Sequence, residues 1–437
     1  CCGTGRMLTA ARDRIHELKG DADTELYGQE TDPKTYAACK AHLYLKNEDG
    51  EDAGRIALGS TLSDDAHRDK KFDYQLTNPP FGKDWKREKQ EVKQEASRGA
   101  DGRFEAGTPQ VSDGQLLFLQ HMISHLKPAR EGGGRVSIVT NEAPLSSGDA
   151  GSGESEIRRW LLENDWVETI IRLPKHLFYN TDVTTYVWIV SNAKDEEREG
   201  KVQLIDTSDF NSGLWEPLTI SRGHKWLYIA EGKGIASNQL AEIIQLYENF
   251  GPARENEEAD DRVQVFDVED FGYRKIRVER PLRVNLRPSE GRIENVWDRN
   301  HFGQLDEDLQ EVVVALLCEM EDRVWNDYTA FRAHLKEKLD AHDISIRAET
   351  QTDILKALSE KDSDAKPARD SRNQLISDTD LRDFERVPLK KDVFDYFERK
   401  VKPHVEDAFI DGGYIDEADE QVGRVGYEIN FNRYFYE

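Results

Sequence analysis

Apolar residues recur along the first 190 positions in two alternating rhythms. Residues 8–18 and 33–45 carry them at the three- and four-residue spacing of a helix face, with Pro33 in a first turn that tolerates it. Leu116, Leu117, Leu119, Met122, Ile123 and Leu126 repeat that spacing strongly, and residues 155–163 do so again. Between these stretches lie shorter segments at 25–28, 55–58, 72–77, 136–140, 167–173 and 184–190, which read as strands. Such alternation predicts an α/β fold with a parallel or mostly parallel sheet.

The rhythm changes after Arg287. Leu309, Val312, Val313, Leu316, Leu317, Met320 and Val324 predict one long amphipathic helix. Residues 349–380 are polar and poor in aromatics, the pattern of a linker or a solvated helix. Residues 384–436 regain aromatics and should pack on something. Two further stretches read as irregular. The Gly- and Ser-rich residues 146–155 predict a mobile loop, and the mixed-sign run 83–103 predicts a solvated loop or a flap that orders on binding. The chain should therefore divide into an α/β domain over residues 1–290 and a mainly helical region over 291–437.

Composition narrows the class. No apolar run approaches the roughly 20 residues needed to cross a bilayer. The four cysteines, Cys1, Cys2, Cys39 and Cys318, show no zinc-site spacing, so no metal is expected and a reducing cytoplasm is the expected setting. The formal charge of −26, from 60 basic and 86 acidic residues, argues against a protein that coats nucleic acid. A local basic surface or a basic partner remains open, as does adaptation to high salt. Arg274, Lys275, Arg277, Arg280, Arg283 and Arg287 crowd around a single acid, Glu279. That cluster suits phosphates as well as it suits pairing with the acidic remainder of the chain.

The sharpest chemical signal is Asn78-Pro79-Pro80-Phe81, directly after the strand at 72–77. An exocyclic amino group on a nucleobase is a poor nucleophile because its lone pair is delocalised into the ring. The Asn78 side-chain oxygen and the Pro79 carbonyl could accept its hydrogens, and consecutive prolines hold those acceptors in place. Phe81 offers a face on which a flipped base could stack, worth roughly 1–3 kcal/mol. As four residues alone, the tetrapeptide fits a strand-ending turn equally well. Cys2-Gly3-Thr4-Gly5 leads into a helix, where small residues and helix N–H groups can hold a carboxylate. The position of a third dinucleotide-type Gly is Leu8, so the nicotinamide fingerprint is incomplete. Glu30 lies 25 residues beyond Gly5, where an acid can accept ribose hydroxyls or begin a helix. Successive strands would deliver all three groups to one sheet edge.

With these residues in place, the chain resembles the modification subunit of type I restriction–modification systems, in the family of N6-adenine DNA methyltransferases. The likeness runs through CCGTG, LYGQETDP, LTNPPFG, GDAGSGESEIRRWLLENDWVE, IRLPKHLFYNTDVTTYVWIV, FGYRKIRVERPLRVN and GYEINFNRYFY. It implies a Rossmann-like sheet that uses S-adenosylmethionine, with a helical C-terminal region and with an N-terminal part lost ahead of Cys1. It also implies methyl transfer to adenine N6 in duplex DNA. Cys2, Gly3, Thr4 and Gly5 would wrap the methionine end of the cofactor, Glu30 the ribose, Ser60 and Thr61 the adenine, and Asn78 to Phe81 the target base, with Asn78 also touching the cofactor. The implied partners are double-stranded DNA, a specificity subunit docking on residues 291–437, a restriction subunit and a second copy of the chain. Family members carry Gly at the position of Arg6 and Asp at that of Ser60, departures that predict weaker cofactor binding. Two alternatives stay open: a nucleic-acid scaffold with a degenerate cofactor site, and a protein glutamine N-methyltransferase, which shares Asn-Pro-Pro but carries Tyr fourth.

Overall fold

The computed structural model describes residues 1–46, 50–174, 183–210, 215–219, 225–229, 235–251 and 260–436. Part of the stretch IRLPKHLFYNTDVTTYVWIV, residues 175–182, lies outside the described residues. The chain divides into two compact units. The first holds Cys1–Arg274, Pro388–Lys390 and Val425–Glu437; the second holds Lys275–Val387 and Lys391–Arg424.

In the first unit, helix α1 (Arg6–Leu18) leads to strand β1 (Gly28–Glu30), then α2 (Pro33–Lys46), the single turn α3 (Glu51–Gly54) and β2 (Ile56–Leu58). β1 and β2 form a parallel pair, with Gly28 opposite Ile56 and Glu30 opposite Leu58. Strand β3 (Tyr74–Thr77), α4 (Lys89–Ala96), α5 (Gln115–Ser124) and β4 (Arg135–Thr140) follow, then α6 (Ala143–Ser146), α7 (Gly153–Glu163), β5 (Val167–Arg172), β6 (Tyr186–Ser191) and β7 (Lys201–Asp206). After a hairpin of β8 (Trp215–Thr219) and β9 (Lys225–Ile229) come α8 (Ile235–Glu248) and β10 (Val263–Asp267). The main sheet has the order β10-β7-β5-β6-β4-β3.

The fold is α/β, as the alternation implies, but its main sheet is mixed. β3 is parallel to β4 and β5 to β7, whereas β6 runs antiparallel to both β4 and β5, and β10 antiparallel to β7. A parallel neighbour needs a crossover of a dozen or more residues, usually helical. The sequence pattern places no helix between the strands at 167–173 and 184–190, and β6 accordingly turns back beside β5.

Alternation along β6 sorts the two faces. Tyr186, Trp188 and Val190 are buried against Val136, Ile138, Ile170, Leu204 and the helices α5 and α7. Val187 and Ile189 face a second cluster built on Ile171, Leu173, Ile205 and Leu246. The Trp188 indole N–H donates to the Thr140 hydroxyl at 3.0 Å, so the ring carries no unsatisfied donor into the core.

Two stretches of this unit differ from expectation. Residues 146–155 are pinned rather than mobile: the Tyr273 hydroxyl donates to Asp149 at 2.8 Å and accepts from the Ala150 N–H at 3.1 Å. Ser152 caps α7 by accepting from the Ser155 N–H at 3.2 Å. The run 83–103 folds around buried Trp85 and Val92, which join Leu62, Phe104 and Leu117 in one cluster. Its charges are the solvated outside of a small packed element.

The aromatic tail packs as expected. Val425, Tyr427, Ile429 and Phe431 enter the core of the first unit. Arg158 on α7, 1% exposed, donates to the carbonyls of Tyr427 at 2.6 Å, Pro144 at 3.1 Å and Ser147 at 2.8 Å. Burial, which disfavours its charge, pushes the Arg158 pKa down to about 10.

In the second unit, β11 (Val284–Leu286), α9 (Glu290–Glu294), α10 (Glu307–Glu319), α11 (Tyr328–Ala341), α12 (Ala348–Ala357) and β12 (Ser359–Lys361) enclose a core of their own. The expected long helix stops at Glu319, and Met320 is extended. Glu319, Glu321 and Asp322 would put negative charge on the negative end of a longer helix, and Asp322 instead pairs with Arg287 at 2.6 Å. The polar stretch 349–380 is no linker, since Ile354, Leu355, Leu358 and Ala368 are buried. The basic cluster is largely neutralised by carboxylates within this unit. Arg277 pairs with Asp411 at 2.9 Å, and Arg280 and Arg283 share Asp407 at 2.9 and 3.4 Å. Among the described residues no helix is long and apolar enough to cross a membrane.

The Arg158 hub generates a test. Arg158→Met keeps the bulk but leaves three buried carbonyls without their donor, a loss expected to cost about 3 kcal/mol of stability. Chemical denaturation of the variant beside the parent checks this.

Candidate functional site

The C-terminal ends of β1, β2 and β3 carry the residues singled out from the sequence. Ligands of α/β sheets collect at such ends, where loops splay apart and helix N-termini begin. Cys2 and the glycines after it reach this edge directly. The Cys2 N–H donates to the Gln29 carbonyl at 3.0 Å, and the Gly5 N–H closes a turn onto the Cys2 carbonyl at 3.1 Å. Gly3 and Gly5 take φ of 59° and 74°, the left-handed region open to glycine. A Cβ on Gly5 would also stand 2.8 Å from the Cys39 sulfur, so the turn is closed to larger residues on both counts. Thr4 is exposed above it.

Glu30 ends β1 and is buried. One carboxylate oxygen accepts from the Gly3 N–H at 3.0 Å. The other accepts from the Thr31 and Asp32 N–H groups at 2.9 and 3.2 Å. Of about four lone-pair positions on a carboxylate, this leaves one on the Gly3 side for an incoming hydroxyl. Glu30 thus both shapes the glycine turn and faces whatever the turn holds. The residues fit a nucleoside cofactor with a carboxylate tail: a tight turn, the amide-lined start of α1, and an acid one strand away.

Ser60, half-buried just past β2, donates its hydroxyl to Glu88 at 3.2 Å. A carboxylate therefore reaches position 60 from the segment that follows Asn78 to Phe81. The neighbouring Thr61 hydroxyl lies 3.5 Å from the Cys1 backbone nitrogen. Arg6 is exposed, with no side-chain hydrogen bond or ion pair among the described residues.

Asn78 follows β3 immediately. Its side chain is exposed and has no hydrogen-bond partner among the described residues. Pro79 is buried and Pro80 exposed, so the backbone is anchored one residue beyond the free amide. Phe81 is half-buried, and Gly82 turns the chain away with φ of 57°. An anchored, extended backbone carrying one unused amide suits recognition of a group with two hydrogens to donate. Thr77, the last residue of β3, donates its hydroxyl to the Cys1 carbonyl at 3.1 Å. That bond ties the glycine turn to the strand carrying Asn78.

Two features were not read from the sequence. Glu88 lay inside the run taken as solvated. The second is a cluster of Asp65, His121 and His125, whose donor atoms have metal-ligand spacing. The four-residue interval between the histidines at the end of α5 was its visible trace. Here the donors are already engaged. The two His125 ring nitrogens face the Lys70 carbonyl and Asp65, each at 2.8 Å. Arg103 donates to His121 at 2.9 Å and lies 3.8 Å from Asp65, so its guanidinium supplies the local positive charge. Burial opposes the Asp65 charge, but the bond from His125, the charges of His125 and His121 and the His67 N–H together outweigh it and hold the carboxyl well below the usual range. Burial, and then the charges of His125 and Arg103, push His121 down. Close by the glycine turn, a hydrogen bond from Cys39 pulls the Cys2 thiol down, while the same bond and burial push Cys39 up.

The signs fix a pH dependence. The unfolded chain protonates His121 before the folded one does, so stability should fall as pH drops below about 6.5, by up to about 1.4 kcal/mol per unit. The Asp65 contribution is present above about pH 4 and fades as pH falls further. His121→Asn, whose side-chain oxygen can take the Arg103 bond without titrating, should flatten the first decline. Thermal unfolding between pH 2 and pH 8 checks both.

Residues 1–213 match the family model described as N-6 DNA Methylase. Among curated proteins, the chain is 28% identical over 210 residues to the type I restriction enzyme MjaIX methylase subunit of Methanocaldococcus jannaschii, covering 48% of this chain and 35% of that protein. It is 30% identical over 204 residues to the HindI methylase subunit of Haemophilus influenzae, covering 46% of this chain and 41% of that one. The match thus spans well under half of each relative's length. Among solved structures, the type I restriction-modification methyltransferase subunit of Streptococcus thermophilus aligns at 22% identity and a TM-score of 0.45, over 61% of this chain and 49% of that one.

Proposed function

We propose, taking as premise that residues 1–213 carry the N-6 DNA methylase pattern, that this chain is the modification subunit of a type I restriction–modification system. It would transfer a methyl group from S-adenosylmethionine to N6 of adenine in duplex DNA. The observation that carries the reading is Asn78, an exposed and unpartnered amide at the end of a parallel strand, tied through Thr77 and Cys1 to the glycine turn beside Glu30.

In this reading Gly3, Thr4 and Gly5 hold the methionine end of the cofactor, and the free lone pair of Glu30 accepts a ribose hydroxyl. Ser60, backed by Glu88, and Thr61 receive the adenine. When bound, S-adenosylmethionine supplies a methyl group on a sulfonium, an electrophile that needs no metal to activate it. The chain's own residues act on the target base. The Asn78 oxygen and the Pro79 carbonyl accept from the amino group and draw its lone pair out of conjugation, while Phe81 stacks on the flipped ring. Holding the two reactants in line supplies the remaining acceleration.

Four free cysteines agree with a cytoplasmic setting. With most of the basic cluster engaged by carboxylates, much of the phosphate neutralisation falls to partners. These are a specificity subunit docked on the C-terminal region 291–437, a restriction subunit and a second copy of the chain.

Methyl transfer from labelled S-adenosylmethionine to adenine-containing duplex DNA tests the reading, with and without a candidate specificity subunit. Label recovered as N6-methyladenine only with the partner is the expected result; no label and no cofactor binding would favour a degenerate scaffold. Asn78→Ala should lower methylation at least about a hundredfold while cofactor affinity holds. Phe81→Ala should weaken engagement of DNA more than that of cofactor. Equilibrium binding measured beside single-turnover rates separates the two effects.

A further inference from the structure

Two thiols meet behind the glycine turn. Cys2 opens that turn. Cys39 stands on α2, wholly buried in a cluster with Leu26, Leu43, Ala53 and Ile56, and Cys2 packs against the same cluster. The Cys39 thiol donates a hydrogen bond to Cys2. Its sulfur also lies against Gly5, so close that a Cβ there would stand 2.8 Å away. On the other side of Cys2, a Cβ on Gly28 would stand 2.9 Å from the Cys2 Cβ. Glycine at position 28 therefore lets Cys2 sit between β1 and α2.

The pair is asymmetric. The bond from Cys39 favours the Cys2 thiolate, while the same bond and burial keep the proton on Cys39. The thiolate is the nucleophile in thiol chemistry. Cys2 is thus placed to be oxidised first, and Cys39 to resolve the product.

We propose that Cys2 and Cys39 form a disulfide when the chain meets a hydroperoxide, and that this bond releases the glycine turn from β1. The Cys2 thiolate attacks one peroxide oxygen, the O–O bond breaks, and hydroxide or alkoxide leaves, giving a sulfenic acid on Cys2. The Cys39 sulfur then displaces the sulfenic hydroxyl, which departs as water with the Cys39 proton. The two sulfurs have lost two electrons and the peroxide has gained them. A covalent bond holds two sulfurs much closer than a hydrogen bond does. Cys39 is fixed by its helix and its buried neighbours, so Cys2 is the residue that moves. Its N–H then leaves the Gln29 carbonyl, and the Gly3 N–H leaves Glu30. A reducing cytoplasm makes such a bond transient, the usual form of a redox-sensing disulfide. Formation of the bond rests on the sulfur pair alone; its effect on a cofactor rests on the methyl-transfer reading.

The test treats the reduced chain with hydrogen peroxide, alkylates the remaining thiols and maps the peptides by mass spectrometry. Cys2 linked to Cys39 is the expected product, reversed by a dithiol reductant. Amide exchange at Gly3 should quicken about tenfold or more in the linked form. Binding of S-adenosylhomocysteine, read by calorimetry, should weaken about tenfold on oxidation and recover on reduction. Cys39→Ala should bind it as the parent does and stop at a sulfenic acid on Cys2, trapped by a cyclic 1,3-diketone. If that variant does not fold, linkage and exchange in the parent decide alone. Absence of the Cys2–Cys39 link at doses that oxidise exposed Cys318, or a link that leaves Gly3 exchange unchanged, would overturn the proposal. A reduced chain that binds no S-adenosylhomocysteine would count against the methyl-transfer reading instead, with linkage and exchange still judging the thiol pair.

Discussion

The Arg158 guanidinium holds together parts of the first unit that are far apart in sequence. A buried charge is tolerated where hydrogen bonds replace its water, and this one is met by carbonyls from α6, from the residue after it, and from Tyr427. Tyr427 in turn donates its N–H to the Ser155 hydroxyl at 3.1 Å, so α7 and the returning tail grip each other from both directions. The tail can then set Ile429 and Phe431 against Tyr186 and the inner face of the sheet. The core of the unit thus depends on a polar clasp at its margin as well as on apolar area.

The candidate site shows the same economy of parts. A carboxylate that could serve a ligand is also the group that organises the turn in front of it, because Gly3, Thr31 and Asp32 all donate to Glu30. A carboxylate held by three backbone donors is already oriented, so a ligand hydroxyl meets a fixed acceptor. Asn78 is the opposite case. Its backbone is anchored by buried Pro79, but its amide is free.

Much of this was legible because local rules and tertiary placement agreed. Helical spacing located α1, α2, α5 and α7. Glu30 and Asn78 do stand at strand ends, but β1 and β3 belong to separate sheets and the glycine turn lies between them, so chain order is not their order in space. What escaped was decided by distant partners. Nothing local to residues 184–190 says that β6 will slip between β4 and β5. The run 83–103 looks solvated because its charges outnumber Trp85 and Val92, yet those two residues set its fold. Residues 349–380 look like a linker until Ile354 and Leu358 are seen closing the second core. The arginines around Glu279 look free because Asp407 and Asp411 lie more than a hundred positions away. The antiparallel turn of β6 could have been anticipated from the missing crossover helix; the carboxylate partners could not.

The division of the chain between the units has a consequence for its synthesis. Residues 425–437 belong to the first unit, yet a ribosome makes them after the whole of the second. While the second unit emerges, the inner face of the main sheet is left without Tyr427, Ile429 and Phe431, and Arg158 lacks one of its three carbonyls. The half of the molecule translated first is thus among the last to reach its final packing. During that interval its bare apolar face is exposed to chaperones and to other nascent chains.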